Sequence, residues 1–412
     1  MLQKPKGTQD FYGETGYNYL NLTKSIENFM ELYNYEYIKT PMFESSELFK
    51  RGVGESTDIV NKETYDFKDK GERNLTLKPE ETASVARAFI ENKIYAENEV
   101  SKFFYITPCF RYERPQSGRF REFNQYGVEV FGSDSPYMDA EVILIAYKLL
   151  NNLGIKNLKV KINSLGNEES RKKYREALVE YFKDKIDSLC ETCQERYKTN
   201  PLRILDCKVD QNNEVLKNAP KTISYLDEES NKFFEDVKNI LSFNEIPFEL
   251  DTNLVRGLDY YTHTVFEIVS DDSLAICGGG RYNNLVKELG GPVVPAVGFA
   301  CGIERILKIL KDMDKDKKGN KIDIYIMNLF DTNETFNLLN SLRDSGFITE
   351  TDFKVKSMKS LWKQVEKYNP NYVVMLGEDE IKGGYLTVKD NLTKESIQIE
   401  RENAEEYFDM NF

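Results

Sequence analysis

A densely charged stretch interrupts this chain and limits how it can fold. Eight of the eleven residues from Lys311 to Lys321 are charged, and a Gly-Asn pair lies near its end. A segment of this composition cannot bury enough apolar surface to pack, so it predicts a solvated linker. A chain of 412 residues is long enough for two or three domains. We therefore predict one domain over residues 1–320 and a second over residues 321–412.

Before the linker, helical and strand-like patterns alternate. The predicted helices are Tyr17–Leu32, Glu80–Ile90 and Asp139–Asn152, and the predicted strands are Lys102–Ile106, Phe123–Phe131 and Thr262–Val269. From about residue 168 to residue 244 the chain is charged and has few strand signals, which predicts a helix-rich segment. After the linker, shorter strand–helix alternation predicts a small α/β domain.

Polar residues cluster around the strand Phe123–Phe131. Gln125 and Glu129 share one face of it, because successive side chains of a strand point to opposite sides. Just before it, the segment Phe110–Arg121 carries four arginines. A guanidinium group donates paired hydrogen bonds and stays charged, so this loop could grip a nucleotide triphosphate. Taken alone, the loop is explained equally well as an exposed basic hairpin.

Three further segments combine glycine with charged or aromatic residues. Val255–Thr264 holds an Arg, an Asp and two Tyr at the start of a strand, Gly278–Tyr282 begins with three glycines, and Gly298–Arg305 runs from a strand into a helix. Glycine lets a small molecule approach the backbone closely, and Arg305 could reach a phosphate. Taken singly, a triple glycine is more often a turn, and Arg305 is more often part of a surface ion pair.

The composition excludes several kinds of site. His263 is the only histidine, so a zinc site with several histidine ligands is impossible, and we expect His263 to be a variable strand residue. Six cysteines are too few for a disulfide scaffold and favour a reducing compartment. No apolar run is long enough to cross a bilayer. We expect a soluble, cytoplasmic protein without membrane contact, whose net charge of −13 still allows a local basic patch.

Two features stay open at this level. Cys190, Cys193 and Cys207 suggest part of a metal site, but no fourth ligand is evident in the nearby chain, so we predict free thiols and no metal. The segment Lys354–Lys367 holds five lysines and the only tryptophan, Trp362. This ring could stack on an RNA base or pack in a core.

In this order and spacing, the motifs resemble those of the histidyl-tRNA synthetases, a family of class II aminoacyl-tRNA synthetases. Tyr37–Phe49 resembles motif 1, which helps to build the family's dimer interface; Phe110–Arg119 resembles motif 2 and Gly302–Arg305 resembles motif 3. Arg256–Tyr261 and Gly278–Tyr282 resemble the two histidine-specific signatures. The resemblance implies an α+β fold. It consists of an antiparallel-sheet catalytic domain with a helical insertion over about residues 168–244, followed by an α/β anticodon-binding domain.

The resemblance also implies a reaction and its residues. Histidine and ATP, with Mg²⁺, would give histidyl-adenylate, and the histidyl group would then pass to the 3′-terminal adenosine of its tRNA. Matching positions make Arg111 and Arg256 catalytic. They assign histidine binding to Glu80, Thr82, Arg111, Gln125, Glu129, Arg256, Tyr260 and Tyr261. They assign ATP binding to Arg111, Glu113, Arg119 and Arg305.

The expected partners are L-histidine, its tRNA and a second copy of the chain in a homodimer. The alternative within the same fold is the regulatory paralogue of ATP phosphoribosyltransferase, which binds and regulates without synthetase activity. That paralogue typically lacks the anticodon-binding domain and has eroded motifs. Because Arg111, Glu113, Arg256 and Arg305 are all present, the residues favour the synthetase.

Overall fold

The computed structural model describes residues 2–54, 57, 59–116, 118–207, 209–270, 275–313 and 322–411. It divides into two compact units, Met1–Asp316 and Lys317–Phe412. Most of the predicted linker, residues 314–321, lies outside the described residues.

An eight-stranded sheet forms the centre of the first unit. Its strands are β1 (Glu36–Tyr37), β5 (Ser101–Phe110), β6 (Glu122–Phe131), β7 (Lys159–Ser164), β8 (Phe248–Leu250), β9 (Thr262–Val269), β10 (Ala275–Arg281) and β11 (Ala296–Gly302). The order is β1-β5-β6-β11-β10-β9-β7-β8, and only the outermost pairs β1·β5 and β7·β8 are parallel. The predicted antiparallel sheet is therefore confirmed. A three-stranded sheet accompanies it, formed by β2 (Phe43–Ser45), β3 (Tyr65–Lys68) and β4 (Asn74–Leu77).

The α-helices described in this unit differ widely in length. They are α1 (Gly13–Glu31), α2 (Ser46–Phe49), α3 (Thr82–Glu91), α4 (Pro136–Asn152), α5 (Glu168–Phe182), α6 (Glu191–Thr199), α7 (Glu214–Lys217), α8 (Glu228–Phe243), α9 (Leu285–Glu288) and α10 (Ile303–Asp312). Within the described part of the chain, none of the helices has the length and apolar character that crossing a membrane requires.

The two faces of the large sheet have different surroundings. On one face, α1, α4, α8 and α10 pack onto alternate strand residues such as Tyr126, Val128 and Val130 and form the largest core. On the other face, α3 and the aromatic residues Tyr260 and Tyr282 build a second core. Gln125 and Glu129 of β6 lie on this second face, as the alternation predicted.

Local signals shift some boundaries from the predicted ones. The helix predicted from Asp139 begins at Pro136, because the Ser135 side chain accepts a hydrogen bond from the Tyr137 N–H and Pro136 suits the first helical turn. The strand predicted to end at Ile106 continues to Phe110, because β5 pairs with β6 along its whole length.

The segment between β7 and β8 is helical, as predicted, but its last helix has a different environment. Helices α5 and α6 enclose a small core of their own that includes Tyr174 and Cys193. Helix α8 instead buries Phe234, Val237 and Leu241 in the largest core, where it packs against α4. The separately packed part of the insertion therefore ends before α8, because the apolar side of that helix is buried on the sheet domain.

The second unit is a small α/β domain, as predicted. Its five-stranded sheet has the order β13-β12-β14-β15-β16, and helices α11 to α14 accompany it. These elements are β12 (Ile324–Asn328), α11 (Thr332–Asp344), β13 (Thr349–Thr351), α12 (Met358–Tyr368), β14 (Tyr372–Leu376), α13 (Glu378–Gly383), β15 (Tyr385–Asp390), β16 (Ser396–Glu400) and α14 (Ala404–Asn411). Trp362 packs beside the core residues Tyr325 and Leu361, with the Lys389 ammonium 4.7 Å from its ring centroid. These contacts favour packing over base stacking for Trp362.

Candidate active site

A cavity of about 400 Å³ opens on the face of the large sheet that carries Gln125 and Glu129. Its walls come from six separate parts of the chain, which the sheet and α3 bring together. The cavity is lined by all eleven residues that the sequence analysis assigned to substrates, namely Glu80, Thr82, Arg111, Glu113, Arg119, Gln125, Glu129, Arg256, Tyr260, Tyr261 and Arg305.

Three arginines give one part of the cavity a strong positive charge. The Nε of Arg111 donates to the Pro79 carbonyl at 2.8 Å, which fixes the side chain. Arg119 pairs with Glu113 at 3.3 Å, and Arg305, at the start of α10, donates to the Ala275 carbonyl. Burial, together with the charges of Arg119 and Arg111, lowers the pKa of Arg305. Guanidinium groups held this close repel one another, so the cavity favours a polyanionic ligand.

Arg256 lies in the loop between β8 and β9. It pairs with the carboxylate of Glu267 on β9, and its guanidinium carbon lies 5.9 Å from the ring centroid of Tyr261. A Cβ atom at Gly278 would overlap the guanidinium group of Arg256. The first glycine of the Gly-Gly-Gly segment therefore leaves room for this arginine in its observed position.

Glu129 is a buried carboxyl group surrounded by hydroxyls. Thr82 donates to it at 2.7 Å and Tyr105 at 3.2 Å, and the Tyr282 hydroxyl donates to its other oxygen. Burial raises the pKa of Glu129 to about 8, although these hydrogen bonds act in the opposite direction. The side chain is thus held in one position and can exchange a proton near neutral pH.

A glycine on the neighbouring strand makes space for this carboxyl group. Gly298 on β11 lies directly opposite Glu129 on β6. A Cβ atom at Gly298 would overlap both the Glu129 carboxyl group and the Val128 carbonyl. Gly298 therefore provides the space that Glu129 occupies, and it lies within a strand and not in a turn.

Glu80 closes another side of the cavity. Its carboxylate accepts from the backbone N–H groups of Thr82 and Ala83, both at 2.9 Å, at the N-terminus of α3. The Tyr260 hydroxyl lies 3.4 Å away. Burial raises the pKa of Glu80, which the hydrogen bonds from α3 oppose. A fixed acidic group at this wall can receive an ammonium group from a ligand.

Comparison with known proteins finds family matches along almost the whole chain. The family model for histidyl-tRNA synthetase matches residues 7–306, and that for an anticodon-binding domain matches residues 323–411. This chain belongs to the histidyl-tRNA synthetase family. A histidine–tRNA ligase of Listeria monocytogenes is 47% identical and covers 97% of this chain and 96% of its own. One from Bacillus licheniformis is also 47% identical, over 96% of this chain and 95% of its own.

Solved structures agree with this membership of the histidyl-tRNA synthetase family. The crystal structure of apo Staphylococcus aureus histidyl-tRNA synthetase matches with a TM-score of 0.85 at 38% identity, covering 99% of this chain and 100% of that one. A Bacillus halodurans structure described as an ATP phosphoribosyltransferase regulatory subunit/histidyl-tRNA synthetase is 22% identical, with a TM-score of 0.66, and shares the fold alone. The chain is therefore an aminoacyl-tRNA synthetase that ligates histidine to tRNA in an ATP-dependent reaction, and the regulatory alternative is not favoured.

Sequence reasoning assigned no role in the site to several residues of the cavity lining, and three polar ones stand out among them. Tyr282, which holds Glu129, and Glu267, which pairs with Arg256, both line it. Tyr282 stands inside a histidyl-tRNA synthetase signature, so that signature was available as a signal. Asp206 reaches the cavity from the insertion, more than forty residues before Arg256 in sequence, and no local pattern marks it.

Two prominent residues of the sequence lie outside the cavity lining. Arg281, in the signature Gly278–Tyr282, is buried and paired with Asp139, and it also donates to the Ser133 carbonyl. His263 packs its ring 5.5 Å from that of Phe233, measured between centroids. Its backbone φ is 42°, in the left-handed region. Arg281 therefore supports the structure of a histidyl-tRNA synthetase without touching its cavity, and His263 has no catalytic position.

We predict that Glu129→Gln changes stability in a pH-dependent way. The pKa of Glu129 is raised from 4.5 to about 8 in the folded state. Between these values the folded state holds a proton that the unfolded state has lost, so the wild-type free energy of unfolding falls as pH rises. The glutamine side chain of the variant does not titrate, so it adds no such pH dependence to the free energy of unfolding. The Tm of the variant minus that of the wild type should therefore increase from about pH 5 to about pH 8.

The exposed substitution Glu176→Gln is the matched control and should leave this difference near zero at every pH. A Tm difference for Glu129→Gln that does not vary with pH would contradict the assigned protonation of Glu129.

Proposed function

We propose that this cavity binds L-histidine and ATP and makes histidyl-adenylate. A carboxylate oxygen of histidine bonds to the α-phosphorus while the bond to pyrophosphate breaks. The terminal adenosine hydroxyl of tRNA then attacks the carbonyl carbon of the adenylate, and AMP leaves. The observation that supports this proposal is the convergence of Arg111, Arg119 and Arg305 with buried Glu129 in a single cavity.

Glu129 is the residue that we assign to histidine selection. The two nitrogens of a buried imidazole must both have partners, and Glu129 can accept from a ring N–H. Tyr261 and Gln125 line the cavity with it. A ring without these nitrogens would leave buried polar groups unpaired, and such a site discriminates strongly against it.

We assign the charged ends of the amino acid to other walls of the cavity. Glu80, Thr82 and Tyr260 surround the position proposed for the α-ammonium group, and Glu80 supplies the negative charge. Arg111 then neutralises the carboxylate and the α-phosphate as they meet. This arrangement orients the two reactants, which by itself supplies a large part of the rate enhancement in such displacements.

The remaining basic residues are assigned to ATP. Arg256 contacts the α-phosphate from the side opposite Arg111, Arg119 and Glu113 position the nucleotide, and Arg305 contacts the outer phosphates. Cations fixed before the reaction stabilise the charge that develops at the α-phosphate. No side-chain general base is needed, because the attacking group is already a carboxylate.

Mg²⁺ is proposed as the metal that accompanies ATP. The chemistry of the cavity fits it, because Glu113 and Glu267 lie on the wall beside the arginines and Mg²⁺ is held by one or two carboxylates together with phosphate oxygens and water. When bound, the ion supplies further neutralisation of the phosphates.

The first prediction concerns amino-acid specificity. Among the twenty amino acids, only histidine should support fast ATP–pyrophosphate exchange, and the exchange should require Mg²⁺. The measurement is exchange by the full chain with each amino acid in turn. Equal exchange with another amino acid, or none with histidine, would contradict the proposed function.

The second prediction separates Arg256 from general binding. Arg256→Ala should lower the kcat of adenylation about 10²–10³-fold, because it removes a fixed cation from the transition state. Exposed Arg73→Ala should leave kcat unchanged, since Arg73 lies outside the cavity lining. The measurement is steady-state exchange over a range of histidine and ATP concentrations.

Arg256→Ala also leaves Glu267 without its arginine, so the double variant Arg256→Ala/Glu267→Gln is the second control. A double variant as slow as Arg256→Ala assigns the loss to the missing cation. Full recovery of kcat in the double variant would instead show that the freed carboxylate causes the loss, and the role proposed for Arg256 would be wrong.

We further propose that the chain functions as a homodimer in the cytoplasm, with residues 1–320 as its catalytic domain and residues 321–412 as its anticodon-binding domain. The apolar side chains of Tyr37 and Phe43, in the motif 1 segment, and of Phe67 beside it are exposed, as expected for a covered face. All six cysteines are free, which suits a reducing compartment. A monomer at micromolar concentration in sedimentation velocity would contradict the dimer.

A lysine row on the second unit is proposed as a tRNA contact. Lys359, Lys363 and Lys367 are exposed and stand four residues apart on α12, so they share one face of the helix. Such a row offers positive charge to RNA phosphates despite the acidic chain.

The third prediction tests this row in the full chain. Lys359→Glu/Lys363→Glu should weaken tRNA charging and leave histidine-dependent exchange unchanged, because exchange needs no tRNA. The salt dependence of tRNA binding should also become shallower, by about one unit of logarithmic slope for each phosphate that the variant no longer neutralises. The control is Lys382→Glu, at an exposed lysine on α13 of the same unit. Equal charging by the wild type and the double variant would contradict the proposed role of the lysine row.

A further inference from the structure

Three cysteines and one aspartate meet inside the helical insertion. The Sγ atoms of Cys190, Cys193 and Cys207 and a carboxylate oxygen of Asp210 all lie within 4.8 Å of one another. We propose that these four residues form a structural Zn²⁺ site. The residues lie in the insertion and outside the lining of the cavity that holds the substrates.

The distances within the group match tetrahedral zinc. The Cys190 and Cys207 sulfurs are 3.6 Å apart, and the Cys207 sulfur lies 3.5 Å from Oδ2 of Asp210. Tetrahedral zinc with ordinary ligand bonds sets two sulfurs about 3.8 Å apart and a sulfur about 3.5 Å from an oxygen. A disulfide would instead bring two sulfurs to about 2 Å. The spacing therefore fits ligands of one cation better than an oxidised pair.

The sequence spacing is also that of a zinc site. Two residues separate Cys190 from Cys193, and two residues separate Cys207 from Asp210. This is the spacing of sites with two Cys-x-x-Cys pairs, with an aspartate in place of the last cysteine. Within the first pair, the Cys193 N–H donates to the Cys190 carbonyl at 2.9 Å. Oδ2 of Asp210 accepts a hydrogen bond from the Cys190 N–H at 3.0 Å, which connects the two pairs.

Burial supports a cation at this place. Cys193 and Cys207 are buried, and Asp210 is only 9% exposed. The surroundings are the apolar residues of the small insertion core, including Leu189, Ile204 and Leu216. A carboxylate in such surroundings is costly unless a positive charge compensates it. A core this small also gains more from a metal than a large one does, because metal binding adds directly to folding stability.

The site would fix the part of the insertion that supports the active site. Between Cys193 and Cys207, Asn200 donates to Asp259 at 2.9 Å, and Arg203 donates to the Gly257 carbonyl and pairs with Asp259 at 3.6 Å. The residue before Cys207 is Asp206, which lines the cavity. Zinc would therefore hold the segment that positions the loop carrying Arg256.

The test begins with metal content. The full chain, purified without chelators from cells grown with zinc, should contain one zinc ion per chain by inductively coupled plasma mass spectrometry. Protein stripped of metal under reducing conditions and given Co²⁺ should show the visible bands of tetrahedral cobalt together with thiolate charge-transfer absorption below about 400 nm. These readouts do not depend on the aminoacylation reaction, so their outcome is independent of the proposed function.

Variants then identify the ligands. Asp210→Ala and Cys193→Ser should lower the zinc content well below one ion per chain and lower Tm. Asp210→Cys supplies a fourth thiolate and should keep the full content. Cys301→Ala changes another buried thiol, outside the insertion, and should also keep it. Removal of zinc should raise the KM for histidine, because the loop Arg256–Tyr261 loses its support.

Several outcomes would overturn the proposal. One is wild-type protein that contains no zinc and does not bind added Zn²⁺ or Co²⁺ at micromolar concentration after reduction. Another is a Cys190–Cys207 disulfide in peptide mass spectra of alkylated protein isolated from the cytoplasmic fraction. A third is an unchanged zinc content in both Asp210→Ala and Cys193→Ser. If a variant does not fold, the cobalt spectrum of the wild type still decides the question.

Discussion

A carboxyl group buried in the wall of the central sheet lines the cavity that we propose for the substrates. Glu129 can sit there only because the opposing strand has glycine at residue 298, where any side chain would overlap the carboxyl group. Hydroxyls from Thr82, Tyr105 and Tyr282 then satisfy it from three directions. A buried carboxyl group is expensive unless it is fully hydrogen-bonded, so these elements must assemble together.

The arginines of the cavity likewise need space beside the backbone and a group that pairs with each guanidinium. Gly278 leaves room for the guanidinium group of Arg256, and Glu267 supplies its partner charge. Arg111 is held by a backbone carbonyl, and Arg305 lies close enough to Arg111 and Arg119 for their charges to lower its pKa. The sheet thus holds several cations in place before any ligand arrives. A phosphate group would relieve their mutual repulsion, so the nucleotide binding that we propose here depends on the fold.

The insertion is connected to this arrangement through its own side chains. Arg203 and Asn200 reach the loop between β8 and β9 and bond Gly257 and Asp259. The ligands of the structural zinc site that we propose lie at both ends of the segment that carries Asn200 and Arg203. In that arrangement, a metal remote from the reacting atoms would affect histidine binding through the position of one loop, by a continuous chain of contacts.

The sequence alone predicted the family and a division of the chain into two parts, and it indicated eleven of the residues that line the cavity. Period-two alternation placed Gln125 and Glu129 on one face of β6, and the order of the motifs predicted which distant segments would meet. These features depend on local pattern, so one chain suffices to find them. Tertiary structure decided what each residue touches. Arg281 stands in a signature yet pairs with buried Asp139, and α8 belongs to the sheet core, because its apolar side is covered there. Asp210 meets Cys190 and Cys193 only through the tertiary fold, and an aspartate in a charged segment carries no signal of its own. Contacts between residues far apart in sequence depend on packing, and packing is not written in any local pattern.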